Sequence, residues 1–194
     1  MEKAELRRLL SEKANAIPLA DRRTYSAAIA REVLRSSVWQ KAGSVFLYVS
    51  MPTEPDTSAL IAAAFAAGKR VYLPKCVDRH TMIAVPVADL NGLFPGVFGI
   101  PEPAFLPENT APPQIDLTVV PCVGASADGS RIGHGAGYYD RYLAQCDTFK
   151  LCLCFSELLT AGIPLCGHDV RMDAVVTQTG VYPPWDTNDV RCRS

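Results

Sequence analysis

Apolar positions near the start of the chain repeat at helical spacing. Leu6, Leu10, Ala14 and Ile17 form one stripe, which predicts a helix over 2–17 that Pro18 ends or interrupts. A second helix is expected from about Asp21 to Ser36, where Ile29, Val33 and Val38 supply apolar positions beside four arginines. Ser44 to Val49 reads as a short apolar strand, and Met51 to Asp56 as the turn after it. Thr57 to Ala67 is alanine-rich and helical, stopping at Gly68. Arg70 to Leu73 is the next strand, closed by Pro74, and Thr81 to Val85 adds a further one. Strand, helix, strand in that order implies a crossover and a sheet covered by helices.

The pattern then breaks. From Asn91 to Pro113 the chain is dense in Pro and Gly, too irregular for a helix or a central strand. So long a connection favours a functional loop or flap. Order resumes with a buried strand at Ile115 to Val120, a glycine loop, a helix at Tyr138 to Gln145, and strands at Leu151 to Phe155 and Ala174 to Thr177. Tyr182 to Ser194 has no useful periodicity. With no repeat or linker, residues 1–194 read as a single three-layer αβα domain with a mostly parallel sheet.

Composition narrows the function classes. A net charge of -1 gives no global reason to expect nucleic acid or an anionic membrane as partner, and no basic patch is interleaved with aromatics. The longest apolar run, Ala59 to Ala67, is far short of a membrane span, and Met1 to Glu5 shows no apolar signal core. Charge is uneven, however: residues 1–41 hold 9 of the 19 Lys and Arg against 5 acids, so an anion could be met there. The seven cysteines are odd in number and show no repeated spacing, as expected of small hydrophobes in a reducing cytoplasm. Cys152, Cys154, Cys166 and His168 could be drawn as a zinc site, but no paired CxxC frame supports it. A monomer is the default expectation.

Candidate chemistry concentrates in Gly129-Ser130-Arg131-Ile132-Gly133-His134-Gly135-Ala136-Gly137-Tyr138-Tyr139-Asp140. Its glycines let the backbone approach a ligand, and successive amides can form a nest for phosphate oxygens. Arg131 adds a planar charged donor and His134 a possible second one, while Asp140 suits Mg²⁺ held together with phosphate. The segment is not a Walker loop, because no GxxxxGK followed by Ser or Thr exists, and Gly133, Gly135 and Gly137 lack the GxGxxG spacing of a dinucleotide fingerprint.

Outside the loop, Lys3 and Arg7 share one helical face, as a solvated surface or as a phosphate contact. Glu54 follows a strand, where open α/β sheets place site residues, though it could also be an acid at a helix start. Met82 is core or ligand wall. Tyr138 and Tyr139 could stack on a flat heterocycle, with one of them packed inward. Of His168, Asp169 and Asp173, one could meet the metal, Asp169 being the candidate, or these residues could serve as caps or surface ion pairs.

The string from Gly129 to Leu143 resembles the G-x-R-L-G-x-G-x-G-Y-Y-D-R-x-L signature of the 5-formyltetrahydrofolate cyclo-ligase family. Lys3-Ala4-Glu5-Leu6-Arg7 is similar to that family's amino-terminal K-x-x-L-R, and Glu54-Pro55-Asp56-Thr57 to its E-V-D-T segment. Pro74-Lys75, Gly99-Ile100-Pro101-Glu102-Pro103, His168-Asp169 and Met172-Asp173 continue in the same order. The resemblance implies ATP-dependent closure of 5-formyltetrahydrofolate to 5,10-methenyltetrahydrofolate, with ADP and phosphate released. It implies that Lys3, Arg7 and Arg131 approach nucleotide phosphates and that Asp140 helps bind Mg²⁺. Gly133, His134, Gly135, Ala136, Gly137 and Tyr139 would surround the nucleotide. Glu54, Met82 and Tyr138 would line the folate pocket.

Departures from the family pattern fall at Ala136, at His134 and at Cys122 to Ser126, which differs from the usual apolar-aromatic stretch before the glycine loop. Ala136 occupies a position often Lys or Gly in relatives, and His134 one that is often basic. A non-catalytic folate- or nucleotide-binding regulator is the alternative that Ala136 leaves open, and another small ATP- or sugar-phosphate-using enzyme is a second.

Overall fold

The computed structural model describes residues 2–96, 99–104 and 111–185. The amino-terminal stripe forms α1 (Lys3–Ala16), which buries Leu6, Leu10 and Ala14. After Pro18 comes α2 (Leu19–Arg35), burying Ile29, Ala30 and Val33, and then the short α3 (Ser37–Lys41). Ser36 separates the two helices: its extended backbone ends α2, and its hydroxyl accepts the Trp39 N–H to cap α3.

The sheet begins with β1 (Ser44–Phe46), α4 (Ser58–Ala66) and β2 (Arg70–Cys76). β1 and β2 pair in parallel, Val45 opposite Val71, as the crossover requires. β3 (Met82–Val87) returns antiparallel to β2. Beyond it lie β6 (Leu117–Val120), β9 (Phe149–Leu153) and β10 (Ala174–Thr177), all parallel to β1, and an antiparallel edge, β11 (Gly180–Tyr182). The order is β11-β10-β9-β6-β1-β2-β3. Helices flank this sheet: α2 packs on α3, α4 and β10, and α4 on β2, while α5 (Tyr138–Leu143) lies against β3 and against Phe46 of β1. The three-layer αβα arrangement with a mostly parallel sheet is therefore observed.

Several boundaries differ from expectation. β2 does not close at Pro74; it runs to Cys76, with Pro74 opposite Ala84. Pairing with β1 reaches only Phe46 opposite Tyr72, so beyond that register β2 has a strand on one side, where a residue lacking N–H is tolerated. The Pro/Gly-rich 91–113 segment carries a small two-stranded sheet of its own, β4 (Leu93–Pro95) against β5 (Pro101–Pro103); its residues 97–98 and 105–110 lie outside the described residues. The loop before α5 holds a hairpin, β7 (Gly124–Ala125) and β8 (Arg131–Ile132), so Arg131 stands on a strand. α5 stops at Leu143, two residues before the expected Gln145. β11 falls where little pattern was legible, and residues 186–194, Cys192 among them, lie outside the described residues.

Candidate active site

Chain order reverses around β1: β2 lies on one side of it and β6 on the other. At such a switch point the carboxyl ends of neighbouring strands splay apart and leave a crevice. A cavity of about 940 Å³ opens there. Tyr48, Met51 and Glu54 enter it after β1, Pro121 after β6, and Cys76 and Met82 from the β2–β3 turn.

The glycine loop forms one wall, from Arg131 through Arg141. Its shape depends on backbone that only glycine supplies readily. Gly129 has φ +83°, and a Cβ there would lie 2.4 Å from the Met172 carbonyl oxygen. Gly135 has φ +101°, with the Arg7 guanidinium carbon 3.5 Å from where a Cβ would stand. α1 therefore packs its polar face on the loop, and Arg7 Nε donates to the Gly133 carbonyl at 2.7 Å. Arg141 clamps the far end, donating to the carbonyls of Ala136 and His80 at 2.6 Å each.

Arg131 is the buried cation of this wall, its side chain 4 % exposed. Nη2 pairs with Asp140 Oδ1 at 3.0 Å, and the guanidinium carbon lies 6.0 Å from the centroid of the Tyr139 ring. Its Nε is the sole buried side-chain N or O among the described residues that has no hydrogen-bond partner. A buried donor left unpaired is costly, so this atom marks a position where an acceptor belongs.

Asp140 also accepts the Val170 N–H on Oδ1, at 3.1 Å. Both of its hydrogen bonds among the described residues fall on that oxygen, and Asp140 lines the cavity. A carboxylate there suits Mg²⁺, which draws its remaining ligands from phosphate and water. Asp169 is committed differently: Lys3 Nζ forms an ion pair with its Oδ2, which also accepts the Cys166 N–H at 2.5 Å. Burial alone would raise the Asp169 carboxyl, but the Lys3 ammonium and the Cys166 amide outweigh it and hold the group below its usual range. Among the described residues, no three His, Cys, Asp or Glu side chains form a metal cluster.

The opposite wall is apolar with two carboxylates. Met82 serves both readings, as it is buried in the core and faces the cavity. Glu54, 4 % exposed, accepts the Met51 N–H on Oε2 at 2.8 Å and lies 3.0 Å from His134 Nε2 through Oε1. Of the tyrosines, Tyr139 packs inward, its ring stacked 6.2 Å from Phe46, and burial raises its phenol. Tyr138 stands at the rim and donates to the Asp78 carbonyl at 2.8 Å.

The structure thus brings all the expected site residues, from Lys3 to Asp169, to one cavity. Asp173 lies apart, holding the Lys150 N–H. Glu102 and Cys76 were not foreseen. Glu102 comes from the small sheet and accepts the Cys76 N–H at 3.3 Å; burial, then the Glu102 charge, push the Cys76 thiol up to about 11. The signal for it is the Gly99 to Pro103 stretch that continues the family resemblance, with the acid flanked by Pro101 and Pro103. The zinc reading does not assemble: Cys152 and Cys154 are buried, whereas Cys166 is exposed.

An α/β protein whose cleft at a sheet switch point is lined on one side by Lys3, Arg7 and Arg131 is the class these features define. Residues 1–178 match the model of the 5-formyltetrahydrofolate cyclo-ligase family. A probable 5-formyltetrahydrofolate cyclo-ligase of Schizosaccharomyces pombe is 32 % identical over 91 % of this chain and 95 % of its own. The 5-formyltetrahydrofolate cyclo-ligase of Mycolicibacterium smegmatis is 31 % identical over 90 % and 93 %. The solved structure of Aquifex aeolicus 5,10-methenyltetrahydrofolate synthetase superposes with a TM-score of 0.83 at 29 % identity, covering 93 % of this chain and 92 % of that one. The chain belongs to the 5-formyltetrahydrofolate cyclo-ligase family.

Proposed function

We propose that the protein closes 5-formyltetrahydrofolate to 5,10-methenyltetrahydrofolate at the expense of ATP, with Mg²⁺, acting as one catalytic domain over residues 1–194. The reading rests on one observation above all: a single cavity joins the Arg131 wall, with its unpaired buried donor, to the Glu54 and Met82 wall. Family membership supplies the substrate class.

The N5-formyl group is an amide whose oxygen leaves poorly. Transfer of the ATP γ-phosphoryl group to that oxygen releases ADP and makes the carbon electrophilic. N10 attacks, loses its proton, and phosphate departs as the ring closes. Such chemistry asks the chain for alignment and charge stabilisation, with no covalent nucleophile. The Arg131 guanidinium, Arg7 and Lys3, all lining the cavity, would offset charge on the transferred phosphoryl group, and Asp140 would hold Mg²⁺, which when bound offsets phosphate charge. Glu54 orients the reduced pterin against Met82 and Tyr138. The β4–β5 segment, whose Ile100 and Glu102 line the cavity, limits entry of water. A cytoplasmic monomer is part of this reading, and the cysteines that are free among the described residues fit a reducing compartment.

The test is absorbance of the methenyl product with 5-formyltetrahydrofolate and Mg-ATP. Wild type is expected to form it only with ATP, and Asp140→Asn, which keeps a hydrogen-bonding group beside Arg131, to lose about 100-fold or more in kcat while remaining folded at the assay temperature, with a lowered melting temperature from the unpaired buried charge. Binding of both ligands without turnover would place the protein among non-catalytic regulators.

A further inference from the structure

Glu54 is buried, and in this structure neither of its oxygens is vacant. Oε2 accepts from Met51 and Oε1 faces His134 Nε2. His134 belongs to the glycine loop on the other wall, so one side chain bridges the two halves of the cavity. Its anchorages differ from those of its neighbours. The loop backbone is fixed on both sides of it, by Arg7 on the Gly133 carbonyl and by Arg141 on the Ala136 carbonyl. The imidazole itself is 46 % exposed and rests, among the described residues, on a single hydrogen bond. It is the soft link between two rigid walls.

The charges around it are arranged for exchange. Glu54 draws the imidazole toward the substrate wall. On the loop side stand the guanidinium groups of Arg7, beside Gly135, and of Arg131, whose Nη1 is 3.1 Å from where a Gly133 Cβ would lie. Tyr48 and Tyr139, the phenols near Glu54, are raised by burial and then by the Glu54 charge, so they stay neutral. An anion arriving at the loop is the one change that would favour turning His134 away from Glu54. Doing so without a second ligand leaves a buried carboxylate oxygen unpaired, which is costly. A reduced pterin bearing N–H donors removes that cost by bonding Oε1 in place of the imidazole.

Building on the proposed function, we infer that His134 couples the two substrates: it holds Glu54 Oε1 in the free protein, yields it to an N–H donor of bound folate, and is released toward the nucleotide phosphates. His134 is then a positioning residue, and the two ligands bind with positive cooperativity. Linkage requires the effect to be reciprocal, each ligand tightening the other by the same factor.

Titration calorimetry with 5-formyltetrahydrofolate and the Mg²⁺ complex of β,γ-imido-ATP tests this. In wild type each ligand is expected to tighten the other by about tenfold, the scale of one buried hydrogen bond. In His134→Ala the factor falls to about one, and folate alone binds severalfold more tightly, because no imidazole has to be displaced. His134→Gln keeps an N–H donor for Glu54 and should restore part of the coupling; it also serves if the alanine variant melts early. Weaker folate binding in His134→Ala, or undiminished coupling in either variant, would overturn the inference. So would independent binding of the two ligands to wild type, which leaves the proposed reaction standing. A wild type that binds nucleotide but no folate sinks the proposed reaction itself.

Discussion

On the glycine-loop side of the cavity, charge is stored in ion pairs: Lys3 with Asp169, and Arg131 with Asp140. On the Glu54 side, Met82 and Ile100 present apolar surface, and the carboxylates are met mainly by backbone N–H groups and one histidine. The first wall is held by contacts between distant elements, α1 and the 168–170 segment against the loop; the second sits largely on one turn and two strands. The difference matches the ligands of the proposed reaction. A polyphosphate needs several cations brought close and oriented, and paired acids offset their mutual repulsion and fix their directions. A flat heterocycle needs apolar faces and a few aimed acceptors.

The largest effect should come from Arg131. Its replacement by Met removes the guanidinium proposed to meet the phosphoryl group and leaves Asp140 with the Val170 N–H but no cation, and kcat is expected to fall about 100- to 1000-fold. Arg131→Lys keeps the charge but not the fork, and should recover only a small part. If steady-state rates of Arg131→Met stay within a few-fold of wild type while the folate KM rises instead, the assignment of walls is wrong.

A smaller and opposite signature is expected from Met82→Ala. Loss of one apolar wall contact should raise the folate KM about tenfold and leave the nucleotide KM unmoved. A parallel rise in both would mean that the two halves are one site.

The smallest effect concerns acid. The Asp169 carboxyl is depressed in the folded protein, so its contribution to stability is present above the unfolded-state value and is lost as pH falls through the folded one. Asp169→Asn removes that contribution, by no more than about 1 kcal/mol, and should flatten the acid limb of the melting temperature relative to wild type. Identical acid limbs would show that the pair contributes nothing measurable.

Legibility varied with the kind of constraint. The buried parallel strands β1, β6, β9 and β10 were visible as short apolar runs, because a strand covered on both faces needs apolar residues throughout. The stripe of α1 was equally plain. β11 was not, since three residues returning beside β10 carry no period that could be recognised. The extension of β2 through Pro74 was hidden because proline usually stops a strand, and only the missing neighbour on one side permits it here. Glu102 was overlooked because a Pro/Gly-rich stretch reads as irregular until β4 and β5 are seen to pair.

By itself, then, the sequence determined the main helices and the buried parallel strands, the α/β class, and a glycine loop with Arg131, His134 and Asp140 at set places along it. Those follow from interactions across a few residues, which local spacing encodes. Tertiary structure decided who meets whom. Lys3 and Asp169 are 166 residues apart and His134 and Glu54 are 80 apart. No local preference reports such pairs; they come together because the strand order reverses at β1 and brings the loops after β1 and β6, the foot of α1 and the 168–170 segment to one crevice.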